Sequence, residues 1–434
     1  MSTLMKIITN ATVITVNEQN EVIYNGAVGF DGGKITYVGK TPEDLSAYDE
    51  IIDGTNKYLM PGFINTHGHV GMSLLRGFAD DLPLKQWLED KMWPMEGQFT
   101  AEHVKWGTAI SIIEMIRTGT TTFVDMYDHM DTVAQEVEAS GMRGVLCRGV
   151  IGFCSEEERQ QKLQEAASFA SRWNGAANGR IHTMMSPHAP YTCSPEYIQQ
   201  ILEKAIELNV PLHIHMSESK AEVEQNVQDY GVRPVAHLEN LGVFNHPTLV
   251  AHAVHLTDEE IDTLAKYNVK VAHNPISNLK LASGVARVPE MLAKGVCVSL
   301  ATDSSASNNN LNLFEELKLA AILHKGVSYD PEVVPAEEAL RMATRYAADA
   351  VFQKDSLGSL EVGKKADMIM LNAAQAHFQP ANDPISHVVY AANGYDVTDT
   401  IVDGHFLMKD KELITMDEQK AIAEVNRVFA LLKQ

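Results

Sequence analysis

Apolar and polar residues alternate along both ends of the chain and change spacing in between. Residues 6–16 alternate roughly one by one, as do 22–30 and 34–38, the latter two joined by the turn signal Asp31-Gly32-Gly33. Asp53-Gly54 marks a further turn. This pattern predicts short antiparallel strands, too few to close a core of their own. The same style returns later. Residues 358–372, GSLEVGKKADMIMLN, contain a turn and then an apolar strand, and 400–408, TIVDGHFLM, read as strand, Asp403-Gly404 turn and strand. A helix is predicted over 417–432. The two ends are expected to complete each other as one small β-sandwich domain, residues 1–60 with 358–434.

Between them, short apolar runs alternate with stretches of helical period. The runs cover 62–66, 120–126, 144–153, 181–187, 211–216, 248–252, 269–273 and 296–302, and helices are predicted over 101–118, 195–208, 257–267 and 313–325. Continuous apolar runs are what a parallel sheet covered by helices requires. Eight such units predict an α/β fold, a closed (β/α)8 TIM barrel over residues 61–357.

Composition narrows the class. With 434 residues and 45% hydrophobic content, the chain is too long for one compact core and too apolar for disorder. A formal net charge of −22 argues against nucleic acid and anionic membranes as partners. Cys147, Cys154, Cys193 and Cys297 form no C-x-x-C pair, so reduced thiols and a cytoplasmic location are expected. Residues 1–20 match neither a signal peptide nor a membrane span, and no run of about 18 apolar residues occurs.

Active sites of such barrels lie at the C-terminal ends of the strands, and metal-capable residues collect there. His67-Gly68-His69 follows PGFIN; residues two apart on an extended strand face one side, and Gly68 is expected to leave room between the imidazoles. In PLHIHMSE, His215 lies nearer the strand end and is the better ligand, while His213 suits a satisfied interior position. Glu218, just beyond, is placed to reach a metal-bound water. Asp303 follows an apolar strand and suits a fourth ligand, with helix capping as its ordinary alternative. His252 ends another strand, placed as an electrophile or a partner for the water; His255 reads as a loop or helix-start residue. Three imidazoles and one carboxylate suit one divalent ion, Zn²⁺ first and Fe²⁺ second. Its task would be to lower the pKa of a water to about 7.

The segments PGFINTHGH, HIHMSE, AHNPISNLKLASG and ATDSSASNNN resemble the amidohydrolase superfamily, in its branch of nucleobase and nucleoside deaminases and triazine hydrolases. The resemblance covers nearly the whole chain, the split sandwich included. SLLRGFADDLPLKQWLEDKMWPMEGQFT, SPHAPYTCS and GSLEVGKKAD make it most similar to the deaminases of 5′-methylthioadenosine and S-adenosylhomocysteine. That resemblance implies metal ligands His67, His69, His215 and Asp303, with Asp303 also touching the attacking water and the amine; with Glu218, and with His252 from its place at a strand end, it makes up the expected catalytic groups. It implies substrate contacts at Glu96, Arg148, His188, Glu218 and Asp303, and a homo-oligomer. The implied reaction is attack of hydroxide on C6 of the adenine ring, giving the inosine analogue and ammonia. From the residues themselves, Glu96 reads first as a solvated helix charge, His188 is equally a loop histidine, and Arg148 has an internal salt bridge as its alternative. His273, Asn274, Ser277 and Asn278 read as shaping their loop without a direct role. Two rivals stand beside the main expectation: the same machinery acting on guanine or a triazine, and a non-catalytic barrel scaffold.

Overall fold

Eight apolar runs become eight parallel strands that close into a barrel. The computed structural model describes residues 4–433. Barrel strands one to three are Phe63–Asn65, Thr120–Tyr127 and Arg143–Val150, and strand four is Ile181–Thr183 with Ser186–Pro187. Strands five to eight are Leu212–Met216, Thr248–His252, Lys270–His273 and Cys297–Leu300. All neighbouring pairs within each half run parallel. Two seams join the halves. At one, the Met185 amide donates to the Pro211 carbonyl and the His213 amide to the Met185 carbonyl, each at 3.0 Å. At the other, Thr66 donates to Leu300 at 3.3 Å and Asp303 to His67 at 3.1 Å. The second seam ties the segment after strand one to the segment after strand eight.

Two strand predictions need correction. The run 181–187 is not one strand: it breaks at Met184-Met185, and Pro187 has no N–H with which to continue a ladder. The run 144–153 stops pairing at Val150. Beyond it the Gly152 amide donates to Thr192 at 2.8 Å, so Ile151 and Phe153 are apolar for reasons other than sheet pairing. The helices fall within three residues of expectation, at Ala101–Arg117, Pro195–Leu208, Asp258–Lys266 and Leu313–Ser328. Their starts are chemical. Ser194 and Thr257 each cap with a side-chain oxygen, and Thr257 forms a reciprocal box with Glu260.

The two chain ends meet in one nine-stranded sheet that curls into a β-sandwich around its own apolar cluster, including Ile8, Val28, Phe30, Met368 and Ile401. The expectation of purely antiparallel pairing fails at the first strand. Lys6–Ile14 is antiparallel to Val22–Asp31, but its first half is parallel to Glu50–Asp53 and its second half to Lys57–Pro61. The cause is local. Asn10 takes φ 58°, and the register shifts between Ile8 and Ala11, so the bend turns each half toward a different neighbour. The last helix, Glu418–Phe429, lies on Ala101–Arg117, where Arg117 pairs with Glu418 at 2.5 Å.

Sandwich and barrel are joined by a buried charge cluster. Arg143, 1% exposed at the start of strand three, donates to Asp367 at 2.7 and 3.0 Å and to Asp403 at 2.7 Å. Removing the guanidinium leaves Asp367 without its cation and Asp403 with only Lys365, at 3.4 Å. Arg143→Met is therefore expected to destabilise the fold by about 3–5 kcal/mol, read as a lowered midpoint in denaturant unfolding. A midpoint unchanged from wild type would show that the cluster contributes nothing to stability.

Candidate active site

Strands five and six and the segments after strands one and eight bring His67, His69, His215, His252 and Asp303 into one cluster, all buried but His69, which is partly so. The rings of His67 and His69 stand edge to face with centroids 4.8 Å apart, and His215 lies 4.8 Å from His67 and 5.4 Å from His69. Asp303 Oδ1 lies 3.5 Å from His67 Nε2 and 3.3 Å from His69 Nε2. Gly68 is not needed for space. A Cβ there would meet only the carbonyl oxygens of Asp303 and Val124, at 3.6 and 3.7 Å.

Hydrogen bonds decide which nitrogen of each ring is free. A carbonyl can only accept, so His69 Nδ1 donates to Met126 O at 2.5 Å and His215 Nδ1 to His188 O at 2.7 Å. His213 Nδ1 donates to Leu249 O at 2.9 Å, which leaves His213 Nε2 as an acceptor for His67 Nδ1 at 2.9 Å. In the neutral form of each ring the proton is thus held on Nδ1, which leaves Nε2 as the nitrogen that can meet a cation. His67 Nε2 is buried and has no hydrogen-bond partner. Three imidazole lone pairs and a carboxylate oxygen, one of them orphaned inside the protein, fit a divalent cation. The interior place expected for His213 is the one it takes, and it holds His67 in its tautomer.

The electrostatics follow from burial and proximity. Burial drives the His67 and His215 imidazoles well down, toward the neutral form that binds metal. Burial also opposes protonation of His69, but the bond to Asp303 and its charge outweigh this and raise His69 to about 9. Burial likewise opposes ionisation of Asp303, yet His67 and His69 hold it well below the usual carboxylate range. A cation at this point would compete with the His69 proton for the same electrons. Asp303 does not cap the following helix. Ser304 does, while Asp303 Oδ1 accepts from the Ser304 amide at 2.8 Å and Oδ2 from Ser277 Oγ at 2.7 Å.

Glu218 is buried beside this cluster, its Oε2 3.5 Å from His252 Nε2. Burial, helped by the charge of Asp303, pushes Glu218 up to about 8, so it carries a proton at neutral pH. His252 Nδ1 pairs with Asn278 Oδ1 at 2.8 Å, and its Nε2 lies 3.9 Å from Asp303 Oδ2. Ser277 and Asn278, expected only to shape their loop, thus touch two of the central groups from a single turn of helix Pro275–Lys280.

A cleft opens from the cluster, roofed by the segment between strand one and helix Ala101–Arg117. Short helical pieces at Leu84–Gln86, Trp87–Met92 and Trp93–Glu96 line it with Trp87, Leu88 and Glu96. Glu96 accepts from the Tyr127 hydroxyl at 2.5 Å, and burial raises its carboxyl to about 6. His188 pairs through Nδ1 with the Thr192 hydroxyl at 3.0 Å; burial lowers it to about 3, so it is neutral. Arg148 also lines the cleft and lies 3.2 Å from Glu165 and 3.6 Å from Asp128. It is ion-paired, with one side on the cleft. His255 turns away and bonds to Ser283 O at 2.6 Å.

Sequence reasoning passed over Asp125, Tyr127 and Glu222. Asp125 is fully buried, its Oδ1 accepting from the Val70 amide at 2.8 Å, and burial raises it to about 7. A lone acid inside the run TTTFVDMY was a usable signal. Glu222 accepts from the amides of Ser217 and Glu218.

The model of the amidohydrolase family matches residues 58–407. A 5-methylthioadenosine/S-adenosylhomocysteine deaminase of Halalkalibacterium halodurans is 48% identical over 432 residues, 98% of each chain. One of Thermoanaerobacter pseudethanolicus is 45% identical over 421 residues, 97% of each chain. Among solved structures, a zinc-bound adenosine deaminase from Xanthomonas campestris superposes with a TM-score of 0.93 at 34% identity, covering 97% of either chain. A zinc-complexed atrazine chlorohydrolase from Arthrobacter aurescens superposes with a TM-score of 0.91 at 25% identity, covering 98% of this chain and 100% of its own.

Proposed function

The chain belongs to the amidohydrolase family, and from that premise we propose that it deaminates 5′-methylthioadenosine and S-adenosylhomocysteine to their inosine analogues, releasing ammonia. One observation carries the chemistry: two overlapping groups of metal-capable side chains, His67 with His69 and Asp303 and His67 with His215 and His252, gather at the cleft floor beside the buried carboxyl of Glu218. Relatives 45–49% identical over most of the chain carry this substrate assignment in their names.

His67, His69, His215 and Asp303 are the proposed holders of a divalent ion, Zn²⁺ by the chemistry of three nitrogens and one oxygen and by two similar zinc-containing structures. When bound, such an ion supplies Lewis acidity that brings the pKa of a water to about 7. The protein's own groups do the rest. Glu218 donates its proton to the ring nitrogen beside C6, which makes that carbon electrophilic. Water oxygen bonds to C6, one of its protons passes to the amine and the other restores Glu218, and the C6–N bond breaks as ammonia leaves. Asp303 Oδ2 and His252 Nε2 flank the place where the water and the amine exchange protons. His188, neutral and held through Nδ1 by the Thr192 hydroxyl, which also donates to the Ala189 carbonyl, is assigned to contact another ring nitrogen. Glu96, steadied by Tyr127, accepts from the ribose hydroxyls.

A substrate panel read by ammonia release tests the assignment. Turnover of both thio-adenosines is expected, with guanine and atrazine far slower; activity on guanine alone would overturn it. Arg148 is assigned to the carboxylate of the homocysteine tail, which must compete with Glu165 and Asp128 for the guanidinium. Arg148→Met should lower the ratio of kcat/KM for S-adenosylhomocysteine over 5′-methylthioadenosine by about 10–100-fold, the worth of a charged hydrogen bond. An equal loss for both substrates would make Arg148 a structural ion pair only.

A further inference from the structure

Glu218 sits on the turn between strand five and helix Lys220–Tyr230, and that turn is held in an unusual way. Ser219 caps the helix, its hydroxyl accepting from the Glu222 amide at 3.2 Å. In a capping box, the acid at the third helical position returns to the amide of the cap residue. Glu222 occupies that position but reaches past the cap. Its Oε2 accepts from the Glu218 amide at 2.9 Å and its Oε1 from the Ser217 amide at 3.0 Å.

Those amides belong to the two residues that need holding. Ser217 takes φ 52°, a left-handed conformation uncommon for a residue with a side chain. Its carbonyl is gripped from the opposite side, accepting from the Val254 and His255 amides at 3.1 Å each. The Ser217 peptide is therefore clamped between the segment after strand six and the carboxylate of Glu222. Among the described residues, no other donor reaches that carboxylate.

We propose that Glu222 is a positioning residue for Glu218, its two oxygens setting the direction in which the turn presents the Glu218 carboxyl to the substrate ring. Helix capping alone does not account for it, because Ser219 already caps. Nor is a buried carboxylate close to a second acid a favourable arrangement in its own right, since each disfavours the charge of the other. The cost has a return at the reacting centre. Proton donation needs the acid within hydrogen-bond reach of its target, and the two amides gripped by Glu222 define the backbone from which Glu218 projects.

The inference takes over the assignment of Glu218 as the acid, so its test includes Glu218 itself. Glu222→Ala, Glu222→Gln, Glu218→Gln and the double variant Glu218→Gln/Glu222→Gln are assayed as metal-loaded enzymes with 5′-methylthioadenosine. Glu222→Ala is expected to lose about 10²-fold in kcat, the effect of a misplacement near 1 Å, with KM within a few-fold of wild type and metal content unchanged. Glu222→Gln keeps the shape and one acceptor, so it carries the test should the alanine variant fail to fold, and shows a smaller loss of the same kind. The double variant should be no slower than Glu218→Gln, because Glu222 acts through Glu218. If Glu218→Gln loses turnover while both Glu222 variants keep wild-type kcat, the positioning role is wrong and the acid assignment stands. A double variant slower than Glu218→Gln by the full Glu222 factor also overturns it, as does loss confined to metal content. If Glu218→Gln itself keeps wild-type turnover, the acid assignment fails and the inference falls with it.

Discussion

His215→Ala is expected to lose metal and turnover together. The His215 imidazole has one nitrogen tied to the His188 carbonyl at 2.7 Å, which leaves Nε2 for the centre. Alanine offers no lone pair, and the remaining set of His67, His69 and Asp303 is one donor short of the closed arrangement. The kinetic consequence is large because the ion's contribution is large: it moves the ionisation of water from roughly 16 to about 7 on the pH scale. A loss exceeding about 10⁴-fold in kcat/KM is expected, with substoichiometric metal by elemental analysis and a circular dichroism spectrum like that of wild type. Chelation of the wild-type protein should reproduce the loss, and added Zn²⁺ should reverse it only in the wild type. Full metal occupancy in the folded variant would remove His215 from the ligand set.

Glu218→Gln should part the two readouts that His215→Ala joins. The Glu218 carboxyl is buried and holds its proton to about pH 8. Glutamine keeps the volume and a hydrogen-bond donor but cannot give up a proton. The loss should therefore be about 10²–10⁴-fold in kcat, the usual share of general acid catalysis, with metal content and KM near wild type. A Glu218→Gln protein as metal-poor as His215→Ala would place Glu218 among the ligands. The positioning of Glu218 by Glu222 would then act on the metal site as well.

Much of the architecture was legible before any coordinates. The strand at Thr248–His252 and the helix at Pro195–Leu208 fall on their predicted residues because apolar runs, capping serines and helix-start prolines act over a few neighbours. The cluster was legible for a similar reason: a histidine or aspartate at the end of an apolar strand is a local pattern, and the barrel turns eight such ends toward one point. Prediction failed where local pattern and pairing part company. Residues 151–153 are apolar enough for a strand, but the Gly152 amide donates to Thr192. The segment roofing the cleft, with Trp87 and Glu96, has no simple period to read because its pieces are each only a few residues long.

Residue type and spacing alone pointed to three histidines and an aspartate at strand ends, which the fold brings near one another, since strand periodicity and strand ends are properties of neighbouring residues. The folded molecule settled which lone pairs face inward, through the relay from Leu249 to His213 to His67 that crosses three strands. It also settled that Arg148 meets Glu165 and Asp128 while still lining the cleft. Tautomers, ion-pair partners and side-chain acidity depend on groups brought together from distant parts of the chain and on the water removed around them, and neither is written in local order.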